Sequence, residues 1–491
     1  MIVFAVIVCW SSNVIASDQL IRLSLGEAIR MAAEKNLDVR AELYNPAQFE
    51  AEINRNRAIY DPSLTIQASY SDTTNPVSST STTFSNRGQS FQLNTSISQL
   101  FWSGAIASLG FNNNYSSVNP STGQNGFWQS SLGVSISQPL LKNAGRDAIE
   151  INISIARLSK FASLEHFKNV LQNTVTQVRT DYFKLYSLRE QLEVRKVSLA
   201  LARKILSETK ARVGAGVLPA MEILNAEFGV TSREKDLIDA EKSVSDQVDS
   251  LRLLLQISST AEIVVTDLPR KEQYLPDQDE AIRHALMRPD IKELKRNLDI
   301  SELQTRVFSN NIRPDLSLVL SGSLVGQDHS YGGDMERIGS IDFPAWSVGL
   351  VFSYPLGNHA AENDYRKSRL KNAQTTLQIR SLEQSAINDV LNSIRSIKSA
   401  YKQIEVADRG RAFAEERLRA FMRKNEVGLA TTRDVLDVEN DLATAKNNQI
   451  TAAVAYNDAI TRHLQVTGEL LEMEGVRVVE GDADKLYTNT R

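Results

Sequence analysis

The residues that ligate metals or move protons are sparse in this chain. Five histidines, His166, His284, His329, His359 and His463, are scattered along 491 residues, with no pair at metal-binding spacing. The single cysteine, Cys9, falls in the first apolar stretch, so neither a thiolate metal site nor a disulfide framework is expected. No phosphate-cradling glycine loop and no nucleophile elbow is present. Carboxylates are numerous but lie on amphipathic helices, whose solvated faces account for most of them. Catalysis requires a convergent set of polar groups. The pattern supplies none, so neither an enzyme nor a cofactor or metal is expected. The 55 Lys+Arg against 59 Asp+Glu leave no basic surplus for nucleic acid.

The elements around these residues form one pattern used twice: short helix, medium helix, β-segment, very long helix, tight turn, returning helix. The first copy opens at Leu23-Ser24-Leu25-Gly26-Glu27-Ala28-Ile29, where Ser24 and Glu27 have capping-box spacing. The second opens near Asp277, followed by Glu280-Ala281-Ile282. The medium helices are expected to stop near Asp61-Pro62 and Arg313-Pro314, because proline removes a donor and clashes with the preceding turn.

Alternating segments follow each proline. Leu64, Ile66, Ala68 and Tyr70 begin the first set, continued by Phe91 to Ile97, Leu109/Phe111 and Trp128 to Ile136. Leu316 to Leu320 and Trp346 to Tyr354 make the second set. The polar partners are mostly Ser, Thr, Asn, Gln and Gly; between Pro62 and Leu141 the only charges are Asp72 and Arg87. A soluble sandwich wets its outer face with Lys and Glu, whereas near-absence of charge suits strands facing lipid. Trp102, Phe127, Trp128 and Trp346 are candidates for the membrane interfaces, with ordinary packing as the competing reading for each. After the first residues no apolar run approaches the ~20 residues of a spanning helix.

The strands end at Gln138-Pro139-Leu140 and Tyr354-Pro355-Leu356. From about Asp147 to Arg212 and from about Ala361 to Asn425 no proline occurs, so helices of roughly 100 Å are expected. Ile387, Val390, Ile394, Ile397, Tyr401 and Ile404 follow coiled-coil spacing, as do Val175, Val178, Tyr182 and Leu185. The turns that follow match at a constant offset: Gly216 with Gly428, Leu224 with Leu436, Glu227 with Glu439. That is the mark of internal duplication. Two helical hairpins do not close a tube, and a symmetric oligomer would supply the remaining staves.

Ile2 to Val8 followed by Val14-Ile15-Ala16 reads as a signal peptide over 1–16, cleaved after Ala16. No basic residue precedes the apolar run, as expected if the true start lies upstream. Val6-Ile7-Val8 lacks the small residues that precede a lipidated cysteine, so anchoring through Cys9 is disfavoured.

In this order of features the mature chain resembles the TolC-like outer-membrane efflux family over nearly its whole length. The fold class implied is an α+β membrane protein: a trimeric outer-membrane β-barrel continuing into a long α-helical coiled-coil periplasmic tunnel, built from two internal repeats. The expected division is helices of the tunnel's upper and equatorial part over 17–61 and 277–313, and barrel strands and loops over 62–141 and 314–356. Long hairpins follow over 142–256 and 357–467, with a linker over 257–276 and an equatorial or disordered tail over 468–491. The family usually contributes four strands per protomer. The first copy here has up to four alternating segments and the second has two, leaving a larger barrel or an extracellular hairpin open.

The resemblance also implies roles at the tips. Val427-Gly428-Leu429 is similar to the turn that meets a periplasmic adaptor, and Ala215-Gly216-Val217 is a looser match. Asp434 and Asp437 match the ring of aspartates that constricts the tunnel entrance; three copies of each would favour cations. Helix-start charge compensation is the plain alternative for Asp434. Glu222 stands where the family has an acidic partner of the closed gate. The basic lock is matched by Ala430 and its aromatic neighbour by Asn425, so Arg433, one turn from Asp437, is the candidate replacement. The implied function is a passive duct in the outer membrane, with its helical part in the periplasm, serving an adaptor and an inner-membrane pump in efflux or type I secretion. A non-conducting coiled-coil protein of the envelope is the alternative, but it gives no reason for duplicated acidic tips. A simple porin lacks such helices.

Overall fold

The structure, a computed structural model, describes residues 21–78, 83–118, 126–258, 262–479 and 481–490. The expected leader, with Cys9 and Ala16, lies outside the described residues. The first copy runs β1 (Ile21–Leu23), α1 (Leu25–Lys35), α2 (Leu37–Arg57), β2 (Ser63–Ser78), β3 (Thr83–Leu100), β4 (Ile106–Val118), β5 (Phe127–Pro139), α3 (Arg146–Ile149), α4 (Ile151–Gly214) and α5 (Met221–Leu255). After β6 (Ile263–Val265), the second runs α6 (Gln278–Ala285), α7 (Pro289–Asn311), β7 (Asp315–Asp328), α8 (Tyr331–Gly339), β8 (Pro344–Ser353), α9 (His359–Glu426) and α10 (Thr432–Thr467). Helices α11 (Leu470–Met473) and α12 (Gly481–Asn489) close the chain.

The helix starts follow the local chemistry. Glu27 N–H donates to Ser24 Oγ at 3.3 Å and Ser24 N–H to Glu27 Oε2 at 3.0 Å, the reciprocal capping expected. Glu280 N–H donates to Asp277 Oδ1 at 2.8 Å in the second copy. Pro289 opens α7, where its missing donor costs nothing.

The chain divides into two compact units. One contains residues 1–44, 164–292 and 380–480. Its core is the seam read from the sequence: Val175, Val178, Tyr182, Leu185, Val390, Ile394, Ile397 and Ile404 are all buried. The segment between the repeats is held into this core. Its strand β6 pairs in parallel with β1. The buried Tyr182 hydroxyl donates to Leu23 O at 2.9 Å and accepts from the N–H groups of Thr266 at 3.0 Å and Asp267 at 2.9 Å. Tyr456 does the same further on, donating to Glu272 O at 2.8 Å and accepting from Tyr274 N–H at 2.7 Å. Each ring therefore fills apolar space while its hydroxyl satisfies backbone groups that burial would leave unpaired.

The other unit contains residues 45–163, 293–379 and 481–491. Its sheet has six antiparallel strands in the order β2-β3-β4-β5-β7-β8. Four come from the first copy and two from the second. Register sorts the side chains by face. Leu64, Ile97, Leu109, Val134, Gly322 and Trp346 form one cross-strand row, and all of these except the glycine are large and exposed. The neighbouring row on the opposite face is Thr65, Ser96, Gly110, Gly133, Ser323 and Ala345. One face is apolar and the other carries hydroxyls, amides and glycines.

The aromatic expectations divide accordingly. Trp128 sits in a row with Tyr70, Phe91 and Tyr115 on the apolar face, and Tyr331 packs edge-on against it at 5.0 Å. Phe127 alternates onto the polar face, and Trp346 lies inside the apolar rows instead of at their border. Helix α8 was not legible in the sequence. It is fixed by the buried Asp334, which accepts hydrogen bonds from Ser130 N–H and Oγ, and by Gly326, where a Cβ would come 2.2 Å from Asp334 O. At the chain's end, Lys160 Nζ lies 2.8 Å from Glu50 Oε2 and 2.6 Å from Asp484 Oδ1, tying down α12. No helix among the described residues is long and apolar enough to cross a membrane.

Candidate functional site

The two helix reversals, α4 to α5 and α9 to α10, are built by the same hydrogen bonds. Gly216 N–H donates to Val213 O at 2.9 Å and Val217 N–H to Arg212 O at 2.9 Å. Gly428 N–H donates to Asn425 O at 3.1 Å and Leu429 N–H to Lys424 O at 2.8 Å. The glycines have φ of +75° and +76°, the left-handed conformation in which this helix-ending motif places its glycine. Ala215, Gly216, Val217, Val427, Gly428 and Leu429 all stand exposed at the turns.

The acidic residues follow at once. Asp434 forms a capping box: its Oδ2 accepts from Thr431 N–H and Oγ1, each at 2.8 Å, and its own N–H donates to Thr431 Oγ1 at 3.1 Å. The bond from the Thr431 backbone, then that from its hydroxyl, hold the Asp434 carboxyl below the usual range, with Arg433 adding a smaller pull. Asp437 is exposed, and Arg433 Nε lies 3.9 Å from its Oδ2. Both side chains are about three-quarters exposed, at 78% and 73%, so the contact is loose. Glu222 stands in the first turn of α5, and its Oε2 is shielded from solvent with no partner among the described residues.

The positions matched to the family's lock are joined differently. Asn425 Nδ2 donates to Ala430 O at 2.9 Å, bracing the turn from within. The cation reaching Asn425 is Arg212, from the other hairpin: its Nη1 donates to Asn425 O at 3.0 Å and Oδ1 at 3.2 Å. Deeper in, Arg233 of α5 pairs with the buried Glu439 of α10 at 2.9 Å and donates to Leu436 O at 2.8 Å. A Cβ on Gly229 would come 2.7 Å from Leu436 Cδ1, so the two returning helices touch closely here. Neither Arg212 nor Arg233 was singled out from the sequence. Each reads locally as an ordinary helix-surface charge, and its partner is more than 200 residues away.

An apolar stripe runs beside the first tip. Val217, Met221, Leu224 and Phe228 recur at four-three-four spacing and are exposed by 70, 64, 61 and 78%. With Val427 and Leu429 of the second turn, this is a large uncovered surface for one chain. Among the described residues no three His, Cys, Asp or Glu gather to hold a metal. His463 is buried, with its Nδ1 2.9 Å from Ser393 Oγ, and is a packing residue.

Duplicated hairpins, matched turns and a charge-poor sheet agree with the comparisons to known proteins. The sequence profile described as "Outer membrane efflux protein" matches residues 105–255 and 283–469. The chain belongs to this family.

Among curated relatives, the outer membrane efflux protein BepC of Brucella suis is 25% identical over 362 residues, spanning 68% of this chain and 72% of BepC. The outer membrane protein TolC of Escherichia coli is 22% identical over 342 residues, 64% and 67% of the two chains. The fold matches that of the Campylobacter jejuni CmeC outer membrane channel with a TM-score of 0.69, at 14% identity, covering 94% of this chain and 89% of CmeC. As a member of the efflux family, the protein is an outer-membrane channel component, with a strand region for the membrane and a helical region for the periplasm.

Proposed function

We propose that three copies of this chain form a passive duct whose entrance is constricted by Asp434 and Asp437, and whose tips dock a periplasmic adaptor serving an inner-membrane pump. The observation that carries this reading is the pair of matched helix reversals, each followed within one turn by an acid. Three copies would set six such reversals around one opening, and clustered carboxylates there favour cations. Trimerisation is supported by the open sheet: β2 and β8 each pair on one side only, and edges in lipid must be paired. Adaptor docking is supported by the uncovered stripe of Val217, Met221, Leu224 and Phe228 beside Val427 and Leu429.

Glu222 and Arg433 are the supporting charges of the gate. The Arg212–Asn425 tie stands where the basic lock is missing. No reacting groups converge at the tips, so transport energy comes from the partner proteins.

The test is single-channel recording in planar bilayers, comparing wild type with an Asp434→Asn/Asp437→Asn double substitution. Small cation-selective steps that lose selectivity in the variant would support the gate. Unchanged selectivity would move the constriction elsewhere, and no conductance from a folded trimer would favour a structural, non-conducting role.

A further inference from the structure

Where the apolar rows of the sheet end, at the turn from β3 to β4, a cavity of about 680 Å³ opens beside Tyr60, Gln99, Leu100, Trp102, Arg146 and Glu150. The turn is firmly built. Phe101 N–H donates to Ala105 O at 2.8 Å, Gly145 N–H to Ser103 O at 2.9 Å, and Ser103 Oγ to Gln138 Oε1 at 2.9 Å. Gly104 has φ of +87°, and a Cβ there would come 2.5 Å from Asn143 O, so the two connections are packed backbone to backbone.

This turn presents Trp102 with 65% exposure and its indole N–H without a partner among the described residues. Opposite stands a fixed pair of charges. Arg146 Nε lies 2.8 Å from Glu150 Oε2, and Tyr60 Oη donates to Glu150 Oε1 at 3.2 Å. The Arg146 side chain remains 69% exposed, with both Nη groups turned to no protein acceptor. Gln99, next to the end of β3, is the one polar member of a row with Ala107, Ile136, Leu320 and Val348, while on β7 and β8 the apolar face runs on through Leu318 with Leu350 and Leu316 with Phe352. The cavity thus joins an apolar, aromatic wall to an adjacent cation and anion at the border of a lipid-facing surface.

We propose that it binds a phosphoethanolamine phospholipid. The phosphate lies on the Arg146 guanidinium, which presents several donors to an oxyanion. The ammonium donates to Glu150. The ester region meets the Trp102 indole, as amphipathic rings do at membrane interfaces, and the acyl chains lie along the exposed rows beyond. The headgroup's chemistry selects among lipids. A choline headgroup has no N–H to give Glu150, and a glycerol headgroup leaves that carboxylate facing net negative charge. Free phosphoethanolamine forgoes the apolar wall. The inference rests on the sheet's apolar face meeting lipid and not on the gate.

The test is native mass spectrometry of the purified full-length protein in detergent, titrated with phosphatidylethanolamine, phosphatidylglycerol and phosphatidylcholine of identical acyl chains. Wild type should prefer phosphatidylethanolamine by about fivefold, the upper range of one exposed ion pair. Arg146→Gln/Glu150→Gln should bind all three lipids alike, Arg146→Lys should keep the preference, and Trp102→Ala should weaken all three together. Should the double variant fail to assemble, Glu150→Gln alone must erase the preference over phosphatidylcholine. No preference in wild type, a preference that survives loss of both charges, or equal competition by free phosphoethanolamine would overturn the proposal. Because binding is read from mass, this result and the bilayer conductance can fail independently.

Discussion

Glu222 and Asp434 occupy the same step of the two returning helices, each six residues beyond the turn glycine, but only Asp434 is capped. Thr431 supplies Asp434 with a hydroxyl and an N–H. The equivalent of Thr431 in the first hairpin is Pro219, which has neither. Glu222 is consequently left with a shielded oxygen that no described residue reaches. A shielded, unpaired carboxylate oxygen is costly, so the first hairpin's tip is the weaker of the two starts.

Replacing Pro219 by threonine should restore the missing cap. Hydrogen exchange of the first-turn amides of α5 is expected to slow by the equivalent of about 1 kcal/mol. Exchange as fast as in wild type would show that Glu222 is held by something other than its local cap.

Arg212→Ala should loosen the tips. A charged donor contributing to two acceptors is worth ~1.5–3 kcal/mol where water is partly excluded, and its loss frees Asn425 from the opposite hairpin. The expected outcome is larger single-channel conductance, with Arg212→Lys intermediate. Identical conductance in all three proteins would place this tie off the conducting path.

Asp458 predicts a pH effect. Burial pushes its carboxyl up to about 6; the nearby Arg179 opposes this and Asp181 adds to it. Its Oδ1 has no partner among the described residues. The folded state therefore holds a proton that the unfolded chain, with a value near 3.8, has released. Stability from this group is greatest at low pH and falls as pH rises from about 4 through about 6. Asp458→Asn should remove that slope and raise stability at pH 7 by roughly 1–2 kcal/mol after solvent screening, read as a higher midpoint of thermal unfolding. A variant with the parent's pH slope would assign the effect to another group.

Tyr182→Phe keeps the ring and removes two hydrogen bonds from the segment joining the repeats and one to Leu23 of β1. Thr266 N–H keeps Leu23 O as an acceptor at 3.1 Å, so the part-buried Asp267 N–H is the group left unpaired, at a cost of about 1 kcal/mol. Limited proteolysis should then cut near Thr266 and Asp267 before any other site. Resistance equal to wild type would show that the pairing of β1 with β6 suffices.

The parts of the fold legible in the sequence are those governed by short-range rules. Period-two alternation gave the six strands, Ser24 and Asp277 marked helix starts, and the seam from Val175 to Leu185 was read from spacing alone. Strands β1 and β6, of three residues each, are too short to show a period, and the bonds that Tyr182 makes beside them come from a residue more than 80 positions away from either. Helix α8 depends on Asp334 finding Ser130, 204 residues earlier. At the tips, the place of Asp434 as a helix-start acid and the Arg433–Asp437 spacing were local and visible, whereas the Thr431 cap emerged from the structure. The Arg212–Asn425 and Arg233–Glu439 links join distant residues, and no local pattern announces them.

The open sheet also dictates how such a protein is made. A solitary chain entering the hydrocarbon would carry the unpaired N–H and C=O groups of β2 along one margin and of β8 along the other. Each orphaned group costs several kcal/mol where water cannot reach, which no single protomer can absorb. Membrane entry and assembly must then be one collective event. A newly exported chain would need to be chaperoned with its greasy rows covered until it meets its companions, and its yield should depend steeply on how fast they arrive.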